Sequence, residues 1–211
     1  MKEVVLKALK ELKDEKNNKK RKFNQSVDLI VNLKNFDLKR ESLNLVVNLP
    51  HKIKTAKVAA FLDKRSSLVD TITQSDFGRY KEKKDIKKLV KKYDFFMASA
   101  KLMPQVATSF GKYLGPVGKM PTPQLGIISQ DSEAEIKQAL VKFEKVLKIK
   151  SKETSIKLSV AREQMKDEEV FENIDMVYKS IVNALPRKKE NLKSVMIKLT
   201  MSKPIKLELE K

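Results

Sequence analysis

The sequence predicts two architectures in one chain. An α+β domain is built from both chain ends, residues 1–56 and 148–211, and an α/β domain is inserted between them at residues 57–147. Two observations predict the division. Long strands with alternating apolar and polar residues occur near both ends, the pattern of antiparallel sheets with one wet face. The middle instead opens on Val58-Ala-Ala-Phe-Leu62, a short all-apolar run suited to a parallel strand buried on both faces, and continues in a strand–helix rhythm.

Taken in order, Val4, Val5, Ala8, Leu9 and Leu12 recur at helical spacing, so the chain opens with a helix. A cationic run, Lys16 to Lys22, follows. Phe23, Gln25, Val27, Leu29, Val31 and Leu33 then alternate with polar or outward positions, and predict a strand beginning at Phe23. Leu43, Leu45, Val47 and Leu49 give a second strand, ended by Pro50. In the middle, Val58–Leu62 is followed by a lysine-rich helix over Glu82–Lys92 and an apolar burst at Tyr93–Ala98. A Gly- and Pro-rich loop over Gly111–Gly126 and an amphipathic helix from Ser132 to about Lys145 complete it. Alternation returns at Ile156, Leu158 and Val160. A helix then starts on Asp167, Glu168 and Glu169, acids that suit the positive end of its dipole. Its apolar face is Phe171, Ile174, Val177, Ile181 and Leu185. Two strands end the chain: Val195, Ile197 and Leu199, then Ile205, Leu207 and Leu209.

Composition narrows the function. The 211 residues include 46 Lys and Arg against 27 Asp and Glu, a net charge of +19, which calls for a polyanionic partner. Nucleic acid leads and an anionic membrane surface is the weaker alternative. Cysteine is absent and His51 is the single histidine, so disulfides, thiolate metal sites and multi-histidine metal sites are excluded within one chain. No apolar run reaches the ~18 residues that span a membrane, and the N-terminus is not of signal-peptide type. These features predict a cytoplasmic protein without a cofactor. Both parts are basic: residues 57–147 carry 17 cations and 10 acids, the remainder 29 and 17.

Several motifs carry chemistry. Lys16-Asn-Asn-Lys19-Lys20-Arg21-Lys22 places five cations in seven residues, able to neutralise phosphates. Phe23, Gln25 and Ser26 follow, an aromatic and small polar groups of the kind that meet bases and 2′-hydroxyls, although a strand-start core position is the favoured reading of the Phe23 ring. Gly115-Pro-Val-Gly118-Lys119 resembles a phosphate loop but lacks the required spacing: Tyr113 stands where the first glycine belongs and Met120 where the hydroxyl belongs. His51 reads as a turn residue after Pro50. The methionines, Met97, Met103, Met120 and Met201 among them, read as core filling by default. Thr200-Met201-Ser202-Lys203-Pro204 joins the last two strands, and Thr200 shares a strand phase with Lys198 on the wet face, where a hydroxyl and an ammonium can meet sugar and phosphate.

Four segments in register resemble the ribosomal protein L-one family in its archaeal branch: Arg21-Lys-Phe-Asn-Gln-Ser26, Tyr93-Asp-Phe-Phe-Met-Ala98 leading to Leu102-Met-Pro104, Leu114-Gly-Pro-Val-Gly-Lys-Met-Pro121, and Ile197-Lys-Leu-Thr-Met201. The resemblance covers nearly the whole chain. It implies a discontinuous first domain that grips large-subunit rRNA and an inserted, Rossmann-like second domain. It further implies a place in the mobile stalk near the exit site, contact with exit-site tRNA and help in releasing it, repression of the protein's own mRNA, no enzymatic activity, and a monomer within the ribosome. Carried onto this chain, the RNA contacts are Phe23 and Ser26 with Lys22 beside them, Arg162 in the loop Val160–Arg162, and Thr200, Met201 and Ser202. Lys19, Lys20, Arg21 and Lys198 join them as candidate RNA-binding residues. Ser202 stands where the family usually has glycine, Val117 where it has arginine and Ala161 where glycine is common. If the turn requires a positive φ, Ser202 is strained there and a glycine relieves it. Two other function classes remain open on residues alone: a nucleotide-dependent enzyme using the α/β unit, and a sequence-blind DNA-compacting protein.

Overall fold

The computed structural model describes residues 1–14, 21–37, 43–80, 82–129, 132–151 and 153–208. In chain order the elements are α1 (Lys2–Lys13), β1 (Ser26–Leu33), β2 (Asn44–Asn48), β3 (Val58–Phe61), β4 (Asp70–Ile72), α2 (Lys83–Lys92), β5 (Phe95–Ser99), α3 (Met103–Val117), β6 (Ile127–Ile128), α4 (Glu133–Lys145), β7 (Val146–Lys150), β8 (Ser155–Arg162), α5 (Asp167–Ala184), β9 (Leu192–Leu199) and β10 (Ile205–Leu207). Two short 3₁₀ turns lie at Gln74–Tyr80 and Lys188–Asn191. No helix among the described residues is long and apolar enough to cross a membrane.

The chain divides into two compact units, Met1–Lys54 with Lys145–Lys211, and Thr55–Glu144. The fold is α+β in the first and α/β in the second. The first unit holds an antiparallel sheet in the order β10-β9-β1-β8 and a two-stranded ribbon, β2-β7. β1 is central, and its burial alternates strictly: Val27, Leu29, Val31 and Leu33 are buried while Ser26, Asp28, Ile30 and Asn32 are half-buried on the other face. The buried face packs with the apolar stripes of α1 (Val5, Ala8, Leu9, Leu12) and α5 (Val170, Ile174, Val177, Ile181) into one core. Asn173 is the polar exception in the α5 stripe. It is fully buried, and its amide clamps the turn after β2: Oδ1 accepts the His51 N–H at 3.1 Å, and Nδ2 donates to the His51 and Val160 carbonyls at 3.1 and 3.0 Å. His51 is a turn residue, as expected, and its Nε2 lies 2.6 Å from a Glu172 carboxylate oxygen.

The second unit is a parallel sheet in the order β4-β3-β5-β6. All four residues of β3 are buried, because core clusters cover both faces of the strand. On one side Phe61, Phe77, Phe96 and Phe110 form a ring cluster with centroids 5.1–5.9 Å apart. Gly126 is required here: its φ is +105° and a Cβ would lie 2.7 Å from the Phe96 carbonyl oxygen.

The stretch read as a loop from Gly111 is helical as far as Val117. α3 starts at Met103 with Pro104 in its first turn, where the missing N–H costs nothing. It buries Val106, Phe110 and Leu114, one stripe at i, i+4, i+8. Pro116 falls in the last turn, and Gly118, in the left-handed conformation at φ 74°, closes the helix. Gly111, Gly115 and Pro116 outweighed that stripe in the sequence reading. β7, which continues directly from α4, and the short β4 and β6 were also not foreseen.

Candidate nucleic-acid interface

Three elements converge at one end of the four-stranded sheet. β1 begins at Ser26, which pairs with Arg162 at the end of β8; the next residue, Val27, pairs with Leu199 at the end of β9. The lead-in to β1 and the β9–β10 turn are therefore neighbours, although 174 residues separate them in the chain.

Their junction is laced by hydrogen bonds. Thr200 N–H donates to the Ser26 carbonyl at 3.1 Å, and Thr200 Oγ1 accepts the Ser26 N–H at 3.0 Å. The two hydroxyls lie 3.0 Å apart. Behind them Gln25, fully buried, accepts the Met201 N–H on Oε1 at 3.1 Å, and its carbonyl accepts the Glu163 N–H at 2.9 Å. Asn24 Nδ2 donates to Gln164 Oε1 at 3.1 Å, tying the β1 lead-in to the turn after β8. The Arg162 guanidinium reaches the Asn24 carbonyl only at 3.5 Å, leaving most of its donors for another partner.

Two apolar side chains stand out of this frame. Phe23 is 52% exposed and Met201 57% exposed. The favoured core reading of Phe23 is thereby corrected. The strand begins at Ser26 rather than Phe23, so strand phase does not govern the ring. The default core reading of Met201 fails for a similar reason, since Met201 sits beyond the end of β9. Arg21 and Lys22 are exposed just ahead of Phe23. Lys19 and Lys20 lie outside the described residues.

Ser202 differs from its expectation as well. It is buried, and it is not among the residues with positive φ. Its Oγ accepts the Leu199 N–H at 2.8 Å and is 3.1 Å from the Lys203 carbonyl. The hydroxyl therefore builds the turn from inside, and its contribution to a ligand surface is to hold Thr200 and Met201. Val160–Arg162 are likewise not a loop: they are the last residues of β8, with Ala161 fully buried.

On the wet face, Asp28 lies across from Lys198 on β9 and Ser159 on β8. Burial pushes the Asp28 carboxyl above its ordinary value, against the opposing pull of the Ser26 hydroxyl, Lys198 and Arg162. Sequence reasoning placed Gln25 among the groups that meet RNA, whereas it is fully buried and braces the turn, and it missed Asn24 and Asp28 as parts of this site. Gln25 had a signal: an amide in the apolar phase of an alternating run needs a buried partner.

The phosphate-loop lookalike has a different role. Gly118 turns the chain so that Lys119 Nζ donates to the carbonyls of Val90 and Tyr93, at 2.8 and 2.7 Å. Its ammonium caps the C-terminal end of α2, so it is not presented to a nucleotide phosphate.

Comparison with known proteins identifies the relatives of this chain. The Ribosomal protein L1p/L10e family is matched over residues 12–203. The chain belongs to that family. Its likeness runs through archaeal proteins named large ribosomal subunit protein uL1. That of Pyrococcus abyssi is 35% identical over 215 residues, covering 97% of this chain and 95% of the relative. That of Thermococcus kodakarensis is 34% identical over 97% of this chain and 96% of the relative. That of Thermofilum pendens is 37% identical over 91% and 88%. The family and its archaeal branch are those whose motifs the sequence carries at Arg21–Ser26, Tyr93–Ala98, Leu114–Pro121 and Ile197–Met201. The L1p/L10e family is structural rather than enzymatic, which removes the nucleotide-dependent enzyme from consideration.

Proposed function

We propose that this protein is a structural component of the large ribosomal subunit and that its discontinuous unit grips large-subunit rRNA. The observation that carries the reading is the pair of exposed apolar side chains, Phe23 and Met201, beside a frame of hydroxyls, Ser26 and Thr200, with Arg21, Lys22 and Arg162 around them. Unpaired RNA is recognised by stacking on such side chains and by hydrogen bonds to 2′-hydroxyls, while cations take the phosphates. Lys198 adds an ammonium on the wet face, and Lys19 and Lys20 extend the cationic run. The names of the archaeal relatives support the ribosomal assignment.

In this reading residues 1–56 and 148–211 are the RNA-binding domain and residues 57–147 the inserted one. The protein works in the cytoplasm, as one copy in the stalk near the exit site, where it contacts exit-site tRNA and assists its release. It also represses its own mRNA, by presenting the same surface to a similar RNA fold. Footprinting the full-length protein on large-subunit rRNA tests the core of the proposal. Wild type should protect one folded segment, and Phe23→Ala with Met201→Ala should lose that protection while remaining folded. Protection spread evenly over rRNA and duplex DNA would favour sequence-blind compaction instead.

A further inference from the structure

The inserted unit Thr55–Glu144 carries 16 cations against 10 acids, and α2 alone holds six of those cations with one acid. Its ten residues are Lys-Lys-Asp-Ile-Lys-Lys-Leu-Val-Lys-Lys. Ile86, Leu89 and Val90 are buried, and all six lysines are exposed. Lys88 pairs with Asp85, and Lys92 pairs with Asp70. Lys83, Lys84, Lys87 and Lys91 have no ion pair among the described residues.

Helix formation alone does not favour this pattern. Lys83, Lys87 and Lys91 form one i, i+4 row and Lys84, Lys88 and Lys92 another, and like charges at that spacing repel. Lys83 and Lys84 also sit in the first turn, at the positive end of the dipole. The helix is held by its buried stripe and by the Lys119 ammonium on its last carbonyls. Beside it a shallow groove of about 360 Å³ is lined by Arg79, Tyr80, Lys88 and Lys92, with Asp85 as its acid.

We propose that α2 is a second RNA contact: a row of ammonium groups that takes the phosphate backbone of the same rRNA molecule held by the discontinuous unit. The proposal rests on that unit's being the rRNA grip. Charge complementarity selects a polyanion, and helix geometry spaces successive lysines of a row by about 6 Å. The helix exposes no aromatic or large apolar side chain, whereas a membrane-surface helix presents these to the lipid. A contact of this kind reads no sequence. It gains strength because the first unit delivers the RNA at high effective concentration.

The test is titration of full-length protein with a large-subunit rRNA fragment over a range of salt. Three proteins are compared: wild type, the quadruple variant K83Q/K84Q/K87Q/K91Q, and a charge-matched control, K101Q/K112Q/K137Q/K142Q, whose exposed lysines lie elsewhere in the same unit. The α2 variant should bind roughly tenfold more weakly near 0.15 M salt and show a salt slope shallower by about 3, while the control stays near wild type. Replacing the same four lysines by arginine should restore the slope. Unchanged affinity and slope in the α2 variant would overturn the proposal. So would an equal loss in the control, which reports net charge alone. The rRNA grip fails separately, if wild type binds the fragment no better than an unrelated RNA of equal length.

Discussion

The Thr200 hydroxyl oxygen accepts the Ser26 backbone N–H at 3.0 Å and lies 3.0 Å from the Ser26 hydroxyl. The end of β9 and the start of β1 are thereby joined through a side chain as well as through the ladder. The Ser26 hydroxyl donates to the Asp28 carboxylate, so the hydrogen between the two hydroxyls comes from Thr200. What the pair offers outward is its remaining oxygen lone pairs, able to accept from a ribose 2′-hydroxyl.

Thr200→Val removes that arrangement while nearly keeping the shape. Two effects are expected. Stability should fall by about 1 kcal/mol, because the Ser26 N–H loses a side-chain acceptor. RNA affinity should fall by a further ~1–3 kcal/mol if the hydroxyl is enclosed at the interface, with the salt slope unchanged because no charge is altered. RNA titration at two salt concentrations, with urea unfolding alongside, separates the two. Wild-type affinity in a folded variant would take the hydroxyl out of the interface.

Ser202→Gly should be destabilising. A left-handed turn would have made glycine an improvement, but Ser202 does not have a positive φ and its buried Oγ holds the Leu199 N–H at 2.8 Å. Glycine leaves that donor unpaired and adds backbone freedom to the unfolded chain, a loss of about 1–2 kcal/mol. Ser202→Ala should lose the hydrogen bond alone and fall between the two. Thermal unfolding of the three proteins checks the order; a glycine variant at least as stable as wild type would contradict it.

These two residues show where a sequence stops being legible. The strands β1 and β9 could be read because each has one dry face, so alternation survives along its length, and β8 could be read as far as Val160, beyond which Ala161 is buried as well. β3 could be read because burial on both faces leaves only apolar residues. Strand phase also placed Thr200 on the wet face correctly. Phase failed at Phe23, since nothing local marks Ser26 as the first paired residue; pairing to Arg162 and Leu199, far along the chain, sets that boundary. α3 was obscured because Gly111, Gly115 and Pro116 are poor helix residues whose cost is offset by burial of Val106, Phe110 and Leu114. Side-chain bonds across long separations, such as Thr200 meeting Ser26 or Lys119 reaching Val90, depend on the finished fold and leave no periodic trace.

Lys119→Met tests the cap on α2. The substitution keeps the aliphatic stem but withdraws the donor from the Val90 and Tyr93 carbonyls. Thermal stability of the inserted unit should drop by roughly 1–3 kcal/mol, because two carbonyls at a helix end lose a charged partner. Hydrogen exchange should show the loss concentrated in the last turn of α2. ATP should produce no thermal shift in wild type or variant. A nucleotide-dependent shift in wild type that vanishes in Lys119→Met would return this lysine to phosphate binding.

Asp28 gives the interface a pH dependence opposite in sign to ordinary acid unfolding. Burial holds its carboxyl above the ordinary 3.8, so the folded protein keeps a proton that the unfolded chain releases. Its contribution to stability is therefore most favourable below that ordinary value. The contribution declines as pH rises from there through the raised value and is constant above it. Ser26, Lys198 and Arg162 limit the size of the penalty without reversing it. Asp28→Asn keeps an acceptor for the Ser26 hydroxyl and removes the titration. The variant should gain on wild type as pH increases from about 4 toward neutrality, then keep a constant advantage. Urea midpoints for both proteins, taken at half-unit steps from pH 3.5 to 7, measure the difference directly. A difference that shrinks with rising pH would mean that the Ser26 hydroxyl, Lys198 and Arg162 together outweigh desolvation at this carboxylate, and one that is the same at every pH would mean that they balance it.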